Sequence, residues 1–239
     1  MGILSAQTIL VTGASGGIGE AIARALGEQG ATVCLTGRNR RRLREIAGRM
    51  PDQQAQCYPA DLTIAEEVQS AAKKILADHQ QVDALVHCAA VIALDAIATG
   101  SVESFDRQFQ TNVLGPFSLT QLLLPALIAS QGQVVFTNSS AGLTARAGAS
   151  QYAATKHALK AVADSLREEC NSAGVRVCSL FLGATATPMQ AVVRAQQHRS
   201  YSPHRLMQPD DVAAFVTALL ALPRSVQVTD VMMRPMMRF

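Results

Sequence analysis

Tryptophan is absent from the 239-residue chain, and aromatic residues make up only 4% of it. A core must therefore be filled by aliphatic side chains. The 49% apolar content, rich in alanine and leucine, is enough for one, because a chain of this length can bury about 70–75% of its unfolded surface. Charged residues are few, at 16%, in a chain this apolar, which excludes intrinsic disorder. The net charge is only +3, too small to point to nucleic acid or a membrane surface without a local basic patch. No C-x-x-C pair occurs. Cys34, Cys57, Cys88, Cys170 and Cys178 are odd in number and several lie in apolar strand-like runs, the pattern of free buried thiols in a reducing compartment. No apolar run reads as long enough to span a bilayer, and the first strand begins too early to leave room for a leader. Met1-Gly2 is followed by Ala6, where a myristoylation signal needs Ser or Thr. Together these absences predict a cytoplasmic protein with no membrane or nucleic-acid partner.

What the chain does have is a steady alternation of strand and helix patterns. Strands are expected at Thr8–Val11, Ala31–Thr36, Gln56–Tyr58, Val82–Cys88, Gln133–Asn138, Val175–Leu182 and Val226–Met232. Between them, helical patterns run over Glu20–Leu26, Arg40–Arg49, Thr63–Gln80, from Ser101 onward, Asn112–Ser130, Gln151–Ala173 and Asp210–Leu222. Thr63 with Glu66 reads as a capping box, Pro116 and Pro125 predict a bend or irregular start, and 183–208 reads as irregular. The alternation predicts an α/β fold: a doubly wound, Rossmann-type parallel sheet of about seven strands with helices on both faces, in a single domain over 1–239.

In such a sheet ligands bind outside the carboxyl ends of the strands, so the residues there carry the chemistry. After the first strand comes Thr12-Gly13-Ala14-Ser15-Gly16-Gly17-Ile18-Gly19, a glycine turn into a helix, which can seat a pyrophosphate on free backbone N–H groups. After the second comes Arg38, with no acidic residue from Ala31 to Arg44 to hold a ribose 2′-hydroxyl. A guanidinium there suits a 2′-phosphate; the neighbouring Arg40, Arg41, Arg42 and Arg44 read mostly as a solvated helix face. Asp61, at the end of the third strand, either accepts from an adenine or backbone N–H or simply starts a helix. Cys88-Ala89-Ala90 either admits a flat ligand or merely packs tightly. After the fifth strand comes Ser139, and thirteen residues on comes Tyr152-Ala153-Ala154-Thr155-Lys156. At i and i+4 a lysine ammonium lies one turn from the phenol and favours its ionised form, which predicts a lowered tyrosine pKa. His198 and His204 have no accompanying carboxylate and read as solvent-facing residues; no metal site is expected.

On these motifs, collinear from Gln7 to Leu222, the chain resembles the short-chain dehydrogenase/reductase family in its single-domain branch. The resemblance implies an NADP(H)-dependent oxidoreductase that interconverts a carbonyl (ketone, aldehyde or 3-oxo compound) and an alcohol. It implies that Gly13, Ser15, Gly17, Ile18 and Gly19 wrap the pyrophosphate and adenosine ribose, that Arg38 selects NADP, that Asp61 and Leu62 flank adenine and that Ala89 touches the adenosine side. Tyr152 would be the acid or base and Lys156 would hold the nicotinamide ribose. Ser139 would bond the substrate oxygen, and is favoured over adjacent Ser140 by its spacing from Tyr152. Asn112 would anchor a water chain to Lys156, while Gly183 and Thr187 would lie at the carboxamide. Residues 184–208 are expected to form a substrate lid, and a homodimer or homotetramer is expected from alanine- and leucine-rich helices. Three departures stand out. His87-Cys88-Ala89-Ala90 replaces Asn-Asn-Ala-Gly, Leu182-Gly183 replaces Pro-Gly, and the glycine-rich ending common in the family is missing. The alternative reading is a catalytically silent NADP-binding regulator or scaffold on the same fold.

Overall fold

The computed structural model describes residues 2–51 and 54–236; the last three residues of the unusual ending lie outside them. Strands β1 (Thr8–Thr12), β2 (Thr32–Thr36), β3 (Ala55–Cys57), β4 (Ala84–His87), β5 (Gln133–Ser139), β6 (Arg176–Leu182) and β7 (Asp230–Met233) form one seven-stranded sheet in the order β3-β2-β1-β4-β5-β6-β7. Every pairing is parallel. The connecting helices are α1 (Gly17–Glu28), α2 (Arg40–Ala47), α3 (Ala65–Asp78), α4 (Val102–Phe109), α5 (Gly115–Ala129), α6 (Ser150–Cys170), α7 (Pro188–Gln196) and α8 (Pro209–Leu220).

The strands read as unbroken apolar runs because both of their faces are covered, but successive side chains still alternate between two cores. Ile9, Val11, Val33 and Val86 point to one, shared with Ile22 and Leu26 of α1, Leu43 of α2 and Val216 of α8. Leu10, Leu85, Val134 and Phe136 point to the other, shared with Val68 and Ile75 of α3, Leu119 and Leu123 of α5 and Leu159 of α6. Strand order reverses at β1, whose neighbours are β2 and β4. The crevice this leaves at the carboxyl ends of β1 and β4 is where the glycine turn lies.

Local structure corrects five details. Thr63 does not cap α3: its amide and hydroxyl both donate to Asp61 Oδ1, at 2.9 and 2.8 Å, the N-cap residue is Ile64, and Glu67 rather than Glu66 reaches back to the Asp61 amide. Strand β3 ends at Cys57, so Asp61 lies beyond it in the approach to α3. The stretch 183–208 contains α7, capped by Thr187 Oγ1 accepting from the Gln190 amide at 3.2 Å and started by Pro188, and a 3₁₀ turn at Pro203–Arg205. β7 begins at Asp230, four residues later than its apolar run. Finally, α4, a π-helical turn at Gln110–Leu114 and α5 run on without a break, so Val102–Ala129 is a 28-residue helix long and apolar enough to cross a membrane by length and composition alone. The irregularity expected from Pro116 is this π turn, immediately before it. The helix buries Leu119, Leu123 and Leu127 against the sheet.

Candidate active site

The turn after β1 is held against the turn after β4. Thr12 Oγ1 accepts from the amides of Cys88 and Ala89 at 3.1 and 3.3 Å. Gly13 sits at φ +63°, and a Cβ on it would come within 2.6 Å of the Ala89 amide nitrogen, so the sequence has the one residue type that fits. Helix α1 then begins at Gly17 with Gly16 as N-cap and no side chain capping its first turn, an arrangement that leaves amides free for an anion. Ile18 and Gly19 follow in that first turn, and Ser15 lies against Gly37 at the end of β2, its Oγ 3.2 Å from where a Cβ on Gly37 would stand. Thr187, at the start of α7, covers the loop so closely that a Cβ on Gly17 would lie 2.9 Å from its Cγ2.

The next wall is basic. Arg38 is more than half exposed at the cleft, and its guanidinium lies 3.9 Å from Asp61 Oδ2. Arg42 departs from the expected solvated face. It is half-buried, bonds both carboxylate oxygens of Glu20 at 2.9 and 2.8 Å, and so ties α2 to α1 beside the glycine turn. Asp61 accepts from the Thr63 amide and hydroxyl at the approach to α3 and lines the cleft, where Leu62 and Ala89 continue the wall. These residues fit a dinucleotide with a 2′-phosphate: a cradle that a single Cβ would fill, an uncapped helix start and an accessible guanidinium.

On the other side of the cleft, Ser139 is the last residue of β5, Tyr152 the third residue of α6, and Lys156 follows one turn later. The Ser139 hydroxyl stands beside the Tyr152 phenol and favours its ionised form. Lys156 Nζ lies 5.8 Å from the centre of the tyrosine ring and donates to the Thr137 carbonyl at 3.0 Å. Burial pushes the phenol up to about 12, with the neighbouring Ser139 side chain pulling the other way. The lowered tyrosine pKa expected from the i, i+4 lysine is thus reversed, because desolvation of the phenolate outweighs the Ser139 hydroxyl and the Lys156 ammonium, 5.8 Å from the ring centre, does not offset it. Burial also pulls Lys156 down to about 8. Ser140 lines the same cleft but opens the 3₁₀ turn at Ser140–Gly142, whereas Ser139 is the hydroxyl that meets Tyr152.

Asn112 is fully buried in the π-helical turn, behind the cleft wall. Its side chain clamps Val91, accepting from the amide at 2.8 Å and donating to the carbonyl at 2.9 Å, and it also donates to Thr155 Oγ1 at 3.0 Å. Both protons of the side-chain amide are therefore spent on fixing the turn after β4 to α6. Gly183 follows β6 and donates to the Met233 carbonyl at 2.7 Å, and Thr187 starts the covering helix. Among the described residues no group of three or more His, Cys, Asp or Glu could hold a metal, and His198 and His204 are exposed.

Two contributors escaped sequence reasoning. Asn138 donates to the Lys156 carbonyl at 3.1 Å and accepts from the Ser139 amide at 2.8 Å, joining the strand that carries the serine to the helix that carries the lysine. It stood next to Ser139 in the sequence, but nothing local shows a partner 18 residues away. His87, first of the residues that replace Asn-Asn-Ala-Gly, ties β4 to β5 and α5. Its ring stacks on Phe136 at 4.9 Å, and its Nε2 pairs with Thr120 Oγ1 at 2.9 Å. Burial, then the Lys156 charge, lower its pKa to about 3, so it stays neutral.

All the site residues expected from the sequence except Asn112 line one open cleft of about 1330 Å³. That exceeds the roughly 300–1,000 Å³ of a single small-ligand pocket, and leaves room for a dinucleotide with a second molecule beside it. The family model for short chain dehydrogenase matches residues 7–198. An uncharacterized oxidoreductase of Staphylococcus epidermidis is 32% identical over 230 residues, covering 96% of this chain and 97% of the relative. The alcohol dehydrogenase of the archaeon Thermococcus sibiricus, crystallised with 5-hydroxy-NADP, superimposes with a TM-score of 0.88 at 29% identity, covering 96% of this chain and 97% of that one. A variant of the actinorhodin polyketide ketoreductase with NADPH gives 0.87 at 27% identity, covering 97% of each chain. By the extent of the family match and by its sheet, the chain belongs to the short chain dehydrogenase family of oxidoreductases.

Proposed function

We propose that this oxidoreductase is NADP(H)-dependent and interconverts a carbonyl and an alcohol, with Tyr152 as the acid or base. The observation that carries the reading is the partly buried Tyr152 phenol, beside Ser139 and one helical turn from the Lys156 ammonium, at the wall of a cleft that also holds the glycine cradle. The cofactor supplies or accepts the hydride at the substrate carbon. In reduction, Ser139 holds the carbonyl oxygen and Tyr152 transfers its proton to that oxygen as the carbon gains the hydride; in oxidation the same proton returns to Tyr152. Lys156, anchored on the Thr137 carbonyl, sets the charge beside the phenol and presents a donor for ribose hydroxyls. The Arg38 guanidinium pairs with the 2′-phosphate. The segment 184–208, with α7 resting on the glycine loop, acts as the substrate lid, within a single domain spanning 1–239. Titration of NADPH into the Tyr152→Phe variant, beside turnover of a carbonyl panel, tests the assignment. Turnover is expected to vanish with NADPH affinity retained, and a variant as active as the wild type excludes Tyr152. Wild-type NADPH binding without consumption on any carbonyl would instead favour a silent NADP-binding scaffold.

We also infer a homodimer or homotetramer. Leu114, Phe117 and Ile128 form an exposed apolar line along the π turn and α5, at 42%, 49% and 40% exposure, and a symmetric partner would cover it.

A further inference from the structure

Positive charge on the cleft walls is unevenly matched by negative charge. On the β1–β3 side each arginine has a carboxylate: Arg42 is bonded to Glu20 at 2.8 Å, and Arg38 lies 3.9 Å from Asp61. Among the described residues, Glu20 and Asp61 are the only acids in the lining. Arg194 of α7 also lines the walls, and beside it stand Arg146, Arg199 and Arg234, which form no ion pair with a carboxylate of the described residues. They come from three separate segments. Arg146 lies in the loop from β5 to α6, between Ser139 and Tyr152. Arg234 directly follows β7, with its Cβ 3.0 Å from where a side chain on Gly183 would begin. Arg199 stands in the turn after α7, its amide donating to the Arg194 carbonyl at 2.9 Å. Arg146 and Arg234 belong to the β5–β7 half of the sheet, away from the glycine turn and the 2′-phosphate position.

Unmatched guanidinium groups in a concave site focus a positive field, and their planar fork fits an oxyanion better than a neutral group. Apolar side chains of Leu143, Met189 and Met232 stand in the same lining, so the complement is a short apolar body with an anionic end. We propose that the substrate is an anionic carbonyl or hydroxy compound, carrying a carboxylate or phosphate ester near the reacting carbon, and that Arg146, Arg234 and Arg199 receive that group. The proposal rests on the oxidoreductase reading for the reacting carbon at Tyr152, while the charge pattern stands independently of it.

The test offers a 3-oxo acid, its methyl ester and a phosphorylated ketone to the wild type with NADPH, and to the Arg146→Gln, Arg199→Gln and Arg234→Gln variants. One of the anionic substrates is expected to exceed the ester in kcat/KM by about tenfold or more. The advantage should shrink in the variants and in added salt, mainly through KM, with NADPH affinity unchanged. Which anion wins distinguishes carboxylate from phosphate. Equal use of ester and anions, or variants that leave the KM of the anion unmoved, overturns the proposal. A calorimetric arm titrates butanoate, inorganic phosphate and neutral butanamide into the enzyme saturated with NADP+. Arginine-dependent binding of an anion without turnover of any carbonyl upholds the oxyanion site and overturns the carbonyl chemistry. Turnover of neutral carbonyls with no binding of either anion does the reverse.

Discussion

Lys156 is buried and Tyr152 partly so, and desolvation moves their pKa values apart, the phenol up to about 12 and the ammonium down to about 8. At neutral pH both keep their protons, the state that can donate to a carbonyl oxygen. As pH rises through the region of about 8, Lys156 loses its charge first. The rate of carbonyl reduction is expected to fall there, and alcohol oxidation, which needs the phenolate, to gain nothing, because losing the ammonium disfavours the ionised phenol. Initial rates in both directions across about pH 6 to 10 check this, and a flat reductive profile contradicts the part given to Lys156. Arg38 is a second residue whose identity was legible from its place after a strand. Its exposure and loose pairing with Asp61 leave it available. Arg38→Asp is expected to weaken NADPH binding by about tenfold or more while NADH binding changes little, as measured by fluorescence titration. Arg42, four residues on, was not legible: its bond to Glu20 joins two helices that no local pattern connects.

Among the elements, the strands and most helices followed their hydrophobic periods, and the misses came where polar side chains chose among competing partners. Thr63 had the right type and spacing for a cap, but Asp61 takes both its amide and its hydroxyl, so α3 starts later. Helix α7 starts on the glycine loop, its N-cap Thr187 lying against Gly17, a contact between segments that no local pattern announces. The joint between β5 and α6 depends on Asn138, which is 3% exposed. Asn138→Ala leaves the Lys156 carbonyl and the Ser139 amide without this partner, a loss of about 1–3 kcal/mol for a buried group. The variant is expected to unfold at lower denaturant concentration and to lose kcat with NADPH affinity largely kept. Wild-type kcat in a destabilised variant would show that the joint serves stability alone.

For the molecule as a whole, the long helix Val102–Ala129 faces two ways. Leu119, Leu123 and Leu127 enter the core, while Leu114, Phe117 and Ile128 remain outside. Phe117→Glu is expected to shift the assembly toward monomers in light scattering with the circular dichroism spectrum unchanged; an unshifted mass places the interface elsewhere. Taken by itself, the sequence determined the strand and helix succession, the parallel sheet, the glycine turn and the spacing of Ser139, Tyr152 and Lys156, because periodicity and turn chemistry act over a few residues. Only the tertiary structure decided what those residues experience. The tyrosine pKa goes up rather than down, since burial depends on what the rest of the chain packs over the phenol. Asn112 becomes a clamp on Val91 and Thr155, and His87 a strut on Phe136 and Thr120, through partners far away in sequence. The glycine loop marked a seat for phosphate from the start. The unpaired arginines across the cleft became meaningful only once β5, β7 and the segment after α7 were brought around the same space.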